Sequence, residues 1–285
     1  MSFLATSLAY GADSSYRNLD TRTCPVLDTP YRTAAGMQVG YEPPASTDAA
    51  GWDRLTVYEL DAWARLLDWE NNYGGEFEVQ AQWNSLVLHT SGTSDGYPLT
   101  RAGLFLQWSQ RWKAGYGMQL NATPGLYSAL ESLGGDDFSI PFGGVLIKDF
   151  SPNFAAFAGI RAYPQFDRTL DPVVGLHWSS RDTVVVEAAY PESRLEYAPF
   201  RAFRLIAGAR LWLWPDYNMG DDERRRLQFR EGRAFGRIEL GITQNTLLSL
   251  TGGLLFDRKI SFQEASDDVT IDDGRFFMLG IGRRL

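Results

Sequence analysis

The fold is decided by the stretch GRIELGIT at residues 236–243, which is followed, after a turn at Gln244 and Asn245, by TLLSLT at residues 246–251. A β-strand points successive side chains to opposite faces, so this single alternation predicts strands with one apolar and one polar face. Runs of roughly ten such residues, the length that crosses a bilayer at a tilt, recur from about residue 75 onward. Many of them in one chain predict a closed barrel in an outer membrane.

The turn signals between these runs predict an all-β fold, a single antiparallel transmembrane β-barrel of about 12 strands. A barrel of 14 strands follows if residues 194–197 form a separate short strand. Residues 54–69 fit several periods, and we favour a strand there because the neighbouring segments are strands. The connections 215–230 and 263–274 are long and acidic, whereas the turn at Gln244 and Asn245 is short. Short turns at one rim and long loops at the other are typical of bacterial barrels.

Bulk composition narrows the classes of function. The chain has 285 residues and a formal net charge of -8, which argues against a nucleic-acid partner because phosphate binding requires a basic face. The mean hydropathy is -0.25, and no run of ~18 apolar residues predicts a transmembrane helix. The single cysteine, Cys24, excludes a disulfide framework and a cysteine-based zinc site.

The chain divides into a leader, residues 1–30, and one barrel domain, residues 31–285. The leader carries LATSLAYGA at residues 4–12, whose small residues Ala9 and Ala12 resemble the end of a signal peptide that lacks its basic start. An unrelated irregular leader is the alternative. We expect the barrel to lie in the outer membrane of a Gram-negative-type bacterium.

The polar face of each strand supplies the candidate functional residues. If the apolar face contacts lipid, charges of both signs point into the lumen, where arginine avoids a cost of about 2–4 kcal/mol at the lipid midplane. These residues either form a ladder of arginine–glutamate pairs that braces a narrow barrel or line a path that selects solutes. The candidates are Glu78, Gln107, Arg111, Gln119, Arg161, His177, Glu187, Arg204, Arg210, Arg237 and Glu239.

Two further patterns concern the channel and its membrane. Small or uncharged residues on the predicted inner face leave room for a solute, and they favour a channel: Gly115, Gly117, Ser249, Thr251 and Gly280. Aromatic residues cluster near predicted strand ends, where amphipathic rings prefer the headgroup level. These aromatic residues are Trp108, Trp112, Tyr116, Tyr190, Tyr197, Trp212, Trp214 and Tyr217.

The sequence contains only weak matches to catalytic motifs. GTSDG at residues 92–96 matches the G-x-S-x-G pattern, but Pro98 follows where the motif needs a helix, so we interpret it as a loop. His89 and His177 are the only histidines, and nothing in the sequence pairs either with a serine. The aspartates at 267–268 and 272–273 lack calcium-loop spacing. We therefore expect no enzyme activity, no metal site and no cofactor.

From Pro124 onward, the chain resembles an uncharacterised family of outer-membrane β-barrel proteins, a domain of unknown function found in planctomycete-type and related bacteria. The resemblance covers roughly residues 100–285, and it implies an outer-membrane barrel without an assigned substrate. One departure is Leu285, since signals for the barrel assembly machinery usually end in an aromatic residue. The resemblance rests on PGLYS at 124–128, DDFSIP at 136–141, FSPN at 150–153, LDPVVGL at 170–176, YPESRLEY at 190–197 and FDRKISF at 256–262.

These patterns favour a passive, porin-like channel in which small solutes diffuse through a charged polar lumen. A structural or binding barrel without conductance is the alternative, and an exported β-sandwich or lipocalin-like binder is a third hypothesis. The expected partners are outer-membrane lipid and lipopolysaccharide, the barrel assembly machinery and small solutes.

Overall fold

The computed structural model describes residues 34–48, 54–70, 75–91, 97–112, 114–128, 137–164, 170–180, 183–200, 202–213, 217–218, 226–262 and 268–283, and its secondary structure is all β. The strands are β1 (Ala35–Ser46), β2 (Arg54–Glu70), β3 (Gly75–Thr90), β4 (Tyr97–Trp112), β5 (Tyr116–Ala122), β6 (Gly125–Ser128), β7 (Phe138–Ser139), β8 (Phe142–Ser151), β9 (Phe154–Ala162), β10 (Leu170–Ser180), β11 (Val184–Tyr190), β12 (Glu192–Phe200), β13 (Phe203–Leu213), β14 (Tyr217–Asn218), β15 (Arg226–Gly241), β16 (Thr246–Phe262), β17 (Val269–Ile271) and β18 (Gly274–Arg283).

The strands form one closed antiparallel barrel of 14 positions, because β1 pairs with β2 on one side and with β18 on the other. Four short strands occupy the same barrel positions as longer ones. Strand β6 continues β5 along β4, β7 continues β8, β14 continues β13, and β17 continues β18. The predicted number of about 12 strands is therefore wrong, and the alternative of 14 is right. The separate strand at residues 194–197 that the alternative required is part of β12, which a single residue, Pro191, separates from β11.

Consecutive strands pair as hairpins, and their connections differ between the two rims. The short-turn rim has the intervals 71–74, 113–115, 152–153, 181–183, 201–202 and 242–245, whereas the intervals at the loop rim include 129–137, 163–169 and 219–225. The predicted long loops are shorter than expected, since residues 226–230 belong to β15 and residues 269–271 to β17. Gly115, predicted on the inner face, lies in the turn before β5 with a φ of 72°, a conformation that glycine adopts readily.

The two halves of the barrel have strands of different length. Strands β2, β3, β4, β15 and β16 have 16 or 17 residues, whereas the consecutive strands β8 to β12 have between 7 and 11. We call them the long-strand half and the short-strand half. At the loop rim, the long strands extend beyond the short ones.

The extensions of the long strands close into a second, smaller ring. Ser128 of β6 pairs with Asn218 of β14 in parallel, across the loop-side ends of the short strands. Thr47 pairs with Ile271 of β17, which joins the other two ends. The resulting loop-end ring contains β1, β2, β3, β4, β6, β14, β15, β16 and β17, and it stands on the long-strand half of the main barrel.

Candidate functional site: the interior of the barrel

The outer surface of the barrel is apolar. In β18 every second residue is exposed, and the exposed residues include Phe277, Leu279 and Ile281, while Phe276 and Met278 are buried. The same exposed apolar row continues around the barrel, for example at Leu146, Ile160, Val174, Leu195, Leu205, Ile238, Leu250 and Leu254. Among single-chain barrels, an apolar band on the outside is the surface that contacts lipid. The molecule is therefore a transmembrane β-barrel of the outer-membrane class.

Aromatic side chains border this apolar surface at both rims. At the short-turn rim, Trp112 and Tyr116 are exposed partners in the ladder between β4 and β5. Toward the loop rim, Tyr41 and Tyr58 are exposed partners whose ring centroids lie 5.4 Å apart. This placement agrees with the interfacial girdles of membrane barrels. Tyr197 is also exposed, whereas the side chains at positions 212, 214 and 217 lie outside the described residues.

The residues predicted to face the lumen have a common placement. Gln107, Gln119, His177, Glu187 and Glu239 are buried, and the remaining candidates, Glu78, Arg111, Arg161, Arg204, Arg210 and Arg237, are half-buried. Exposed apolar residues flank some of them, as Leu176 and Trp178 flank His177 and as Ile238 and Leu240 flank Glu239. Because the outer surface takes the exposed set, these candidates point to the inner side of the wall.

Several candidates form ion pairs between adjacent strands. Arg204 of β13 donates to Glu239 of β15 at 3.2 Å, and Arg210 of β13 lies 3.5 Å from Glu192 of β12. Elsewhere on the wall, Arg65 Nε of β2 lies 2.9 Å from Glu78 Oε1 of β3. These pairs run around the wall and satisfy charges that would otherwise be costly to bury. The register places two candidates, Glu78 and Gln107, side by side, and it places the candidate Arg161 beside Asp171, which the sequence analysis did not single out.

The loop-end ring is filled by hydrophobic side chains. All are at most 7% exposed, and they come from eight of its nine strands. Burying each large apolar side chain contributes roughly 1.5–3 kcal/mol. This apolar cap consists of Ala45, Leu55, Val57, Leu86, Leu88, Leu99, Tyr127, Leu227, Phe229, Ile260, Val269 and Ile271.

Directly below the apolar cap lies a layer of buried charges. Arg233 of β15 donates to Glu59 of β2 at 2.9 Å, to Glu42 of β1 at 3.3 Å and to Glu231. Arg258 of β16 pairs with Glu42 and lies 3.5 Å from Glu231. We call these five residues the charged layer. Unlike the pairs on the wall, they connect strands that other strands separate, because β16, β18 and β1 lie between β15 and β2.

The sequence-based prediction missed both the apolar cap and the charged layer. In β3, Leu86 and Leu88 have even residue numbers, as Glu78 and Gln80 do, so all four side chains lie on the same, inner face of the strand. Along that face the residues change from polar to apolar. In β15, the apolar Leu227 and Phe229 likewise lie on the same face as Arg233 and Arg237, since all four have odd residue numbers. This change between polar and apolar residues along one face of a strand is visible in the sequence, and it marks where the apolar cap begins.

The two histidines and the described end of the acidic connection have the following surroundings. His177 Nδ1 lies 3.8 Å from Glu187, and His89 packs edge-on against Tyr58. Within the described ranges, no group of three or more His, Cys, Asp or Glu residues could hold a metal ion. Asp268 has a lowered pKa because Lys259 and Ser261 donate hydrogen bonds to its carboxylate.

Several sequence-based predictions fall on residues outside the described ranges. They concern the G-x-S-x-G segment at 92–96, Cys24, the leader at 1–30, Asp267 and Leu285. The described part of the chain contains no helix that is long and apolar enough to span a membrane.

Comparison with solved structures finds similar barrels at low sequence identity. The NanC porin is 10% identical, with a TM-score of 0.46 over 88% of this chain and 100% of that one. A deletion mutant of TodX, a monoaromatic hydrocarbon channel, is 10% identical, with a TM-score of 0.47 over 88% and 89%. The KdgM porin in complex with disordered oligogalacturonate is 6% identical, with a TM-score of 0.37 over 88% and 99%.

A comparison with curated proteins finds no match. A family model, by contrast, matches residues 97–269, which are more than half of the chain. That segment runs from the first residue of β4 to the first residue of β17, and it includes the whole short-strand half. The protein belongs to the family defined by the domain of unknown function DUF6268.

Proposed function

We propose that the protein is a passive transport barrel through which small solutes diffuse along the charged inner wall. The observation that carries this proposal is that the ion pairs outside the charged layer join neighbouring strands. The pairs of Arg194 with Glu187, Arg204 with Glu239, and Arg210 with Glu192 each join adjacent strands. Such pairs keep the charges against the wall, so a solute can pass between opposite walls and exchange contacts with them.

The composition of this wall suits polar solutes of either sign. Arg204 and Arg237 both approach Glu239, and Arg237 Nε also donates to Thr251 at 2.9 Å. Each cation on this part of the wall lies near a carboxylate, so the local potential changes sign over short distances. We therefore expect selectivity that depends on single residues of the wall.

A structural barrel without conductance is the second candidate. The apolar cap and the charged layer favour it, since Arg233 connects three carboxylates from three strands across the long-strand half. A barrel filled in this way at one end could serve as a scaffold whose loops contact lipopolysaccharide. In both candidates, lipid is the surrounding partner and the barrel assembly machinery inserts the chain.

The decisive experiment is a planar-bilayer recording of the purified full-length protein. The proposal predicts stepwise, ion-selective conductance. Arg204→Gln removes a half-buried wall cation beside Glu239, so we expect it to shift the selectivity toward cations. The matched control is Arg230→Gln, because Arg230 pairs with Asp257 and is exposed to solvent.

The two candidates give different recordings. A barrel that is folded by circular dichroism and by its heat-dependent gel mobility, but is electrically silent, would contradict transport and support the structural candidate. Equal effects of Arg204→Gln and Arg230→Gln on selectivity would contradict the assignment of the path to the inner wall.

A further inference from the structure

Lys148 places a cation on the lipid-facing surface of the barrel, close to the short-turn rim. It belongs to β8, where its outward neighbours Leu146 and Phe150 are each 64% exposed, while Ile147 is buried on the inner face. A lysine among lipid-facing side chains lays its methylene chain along the apolar surface and carries its ammonium group to the headgroup level. The position of that group therefore decides what it can bind.

Two contacts fix the ammonium group of Lys148 at the turn between β4 and β5. Its Nζ lies 3.6 Å from the centroid of the Tyr116 ring, and it donates a hydrogen bond to the carbonyl oxygen of Ala114 at 3.3 Å. The turn is attached to the end of β8, because the Asp149 N–H donates to the carbonyl oxygen of Gly115 at 2.8 Å. The ammonium group is thus held at the level of the turn.

These contacts leave the positive charge of Lys148 uncompensated. The next residue, Asp149, pairs with Arg111, one of the residues of the inner wall. Within the part of the chain that the structure describes, the Lys148 ammonium group contacts one aromatic ring and one carbonyl oxygen and forms no ion pair. Both of these acceptors are neutral, and an ammonium group has three donor hydrogens. The group therefore has donors left for an anion outside the protein.

The strand register shows what surrounds this cation. Tyr116 and then Trp112 lie on one side of Lys148, and Ala156 lies on the other. The two aromatic side chains are 52% and 47% exposed, and such rings prefer the headgroup level. Ala156 has only a methyl group, and Lys148 itself is half-buried rather than enclosed. Because the short turns of bacterial barrels face the periplasm, this group of side chains lies at the phospholipid leaflet.

We propose that Lys148, together with Tyr116 and Trp112, forms a binding site for an anionic phospholipid of the periplasmic leaflet. The ammonium group donates to the phosphate oxygens of the lipid, and the acyl chains lie against the exposed Leu146. A headgroup with a net negative charge compensates the charge of Lys148, whereas a zwitterionic headgroup leaves it uncompensated. The site is on the outer surface, so it does not depend on transport through the interior.

The test measures phospholipid binding to the purified full-length protein by native mass spectrometry, with phosphatidylglycerol as the probe. We expect Lys148→Gln to bind it about fivefold more weakly, the effect of one basic residue near an anionic membrane surface. Lys148→Arg keeps the charge and should bind as the unchanged protein does. The matched control is Arg283→Gln, since Arg283 is an exposed cation at the same rim whose ladder partners are Ala35 and Thr246 instead of aromatic residues.

Four outcomes would overturn the proposal, once heat-dependent gel mobility has shown that each variant is folded. Equal weakening by Lys148→Gln and Arg283→Gln would mean that general surface charge, and not a site, attracts the lipid. Weakening by Lys148→Arg equal to that by Lys148→Gln would exclude charge recognition. Equal affinity of the unchanged protein for phosphatidylcholine would exclude the anionic class. Equal affinity for glycerol 3-phosphate, which carries a phosphate without acyl chains, would exclude a membrane lipid as the specific occupant.

Discussion

The long-strand half and the short-strand half follow the same alternation but have different interiors. In the long-strand half, Arg233 and Arg258 reach across intervening strands, and the apolar cap fills the space above them. In the short-strand half, Arg194 pairs with Glu187 on the adjacent strand and with Glu196 on its own strand. Alternation therefore determines which side of the wall a residue occupies. Alternation does not determine whether that residue contacts distant strands, as Arg233 and Arg258 do, or only near ones, as Arg194 does.

The largest expected effect concerns the charged layer. Arg233→Leu leaves Glu42, Glu59 and Glu231 without the cation that connects them. Removing one partner of a buried ionic network costs about 3–5 kcal/mol. Arg194→Leu, the matched change in the short-strand half, should cost about 1–3 kcal/mol because it leaves only local acceptors unpaired. Denaturant unfolding in lipid vesicles measures the loss of unfolding free energy for both variants. Equal losses would contradict the difference between the cross-barrel network of the long-strand half and the local pairs of the short-strand half.

The second effect concerns the apolar cap. Leu86→Ala creates a cavity at a side chain that is fully buried, and such truncations cost about 2–5 kcal/mol. Leu146→Ala, on the lipid-facing side of the short-strand half, removes a side chain that is 64% exposed. We expect a smaller loss of unfolding free energy there, since no packed cavity forms. A larger loss for Leu146→Ala would contradict the placement of the core inside the ring.

The third effect tests which side chains of the barrel wall face lipid and which face the interior. Leu240 is exposed on the outer surface, and Arg237 points inward toward Thr251. Leu240→Arg places a charge in lipid at a cost of about 2–4 kcal/mol at the midplane, so we expect reduced assembly into membranes. Arg237→Gln keeps a polar group inside and should assemble normally. Heat-dependent gel mobility of membrane fractions measures folding, and equal tolerance of the two variants would reverse the assigned faces.

Local patterns were sufficient to predict the class of fold. The alternation at residues 236–241 of β15 is regular, so the exposed Leu240 and the buried Glu239 could be assigned from the sequence. The number of strands was harder, because Pro191 is the whole connection between β11 and β12. Turn composition gives little warning of a connection that short.

The charged layer could not be predicted, because it depends on register across the whole molecule. Glu42 and Arg233 are 191 positions apart in the chain. In addition, β-bulges change which face a residue occupies. In β16 the inward residues change from odd to even parity at Asp257, where φ is 50° and the ladder to β15 shifts register. Arg258 points inward only because of that bulge, and a regular strand would have placed it toward the outside.

The two rings share the segments that close them. The first barrel strand, β1, pairs with β18, and the residue just beyond β1, Thr47, pairs with Ile271, which lies just before β18. Completing the circumference of the large ring therefore brings together the ends of the small one. A chain in which these segments have not met lacks both the closed wall and the bridge that completes the loop-end ring. The closure of the main barrel and the packing of the apolar cap therefore depend on the same two segments of the chain.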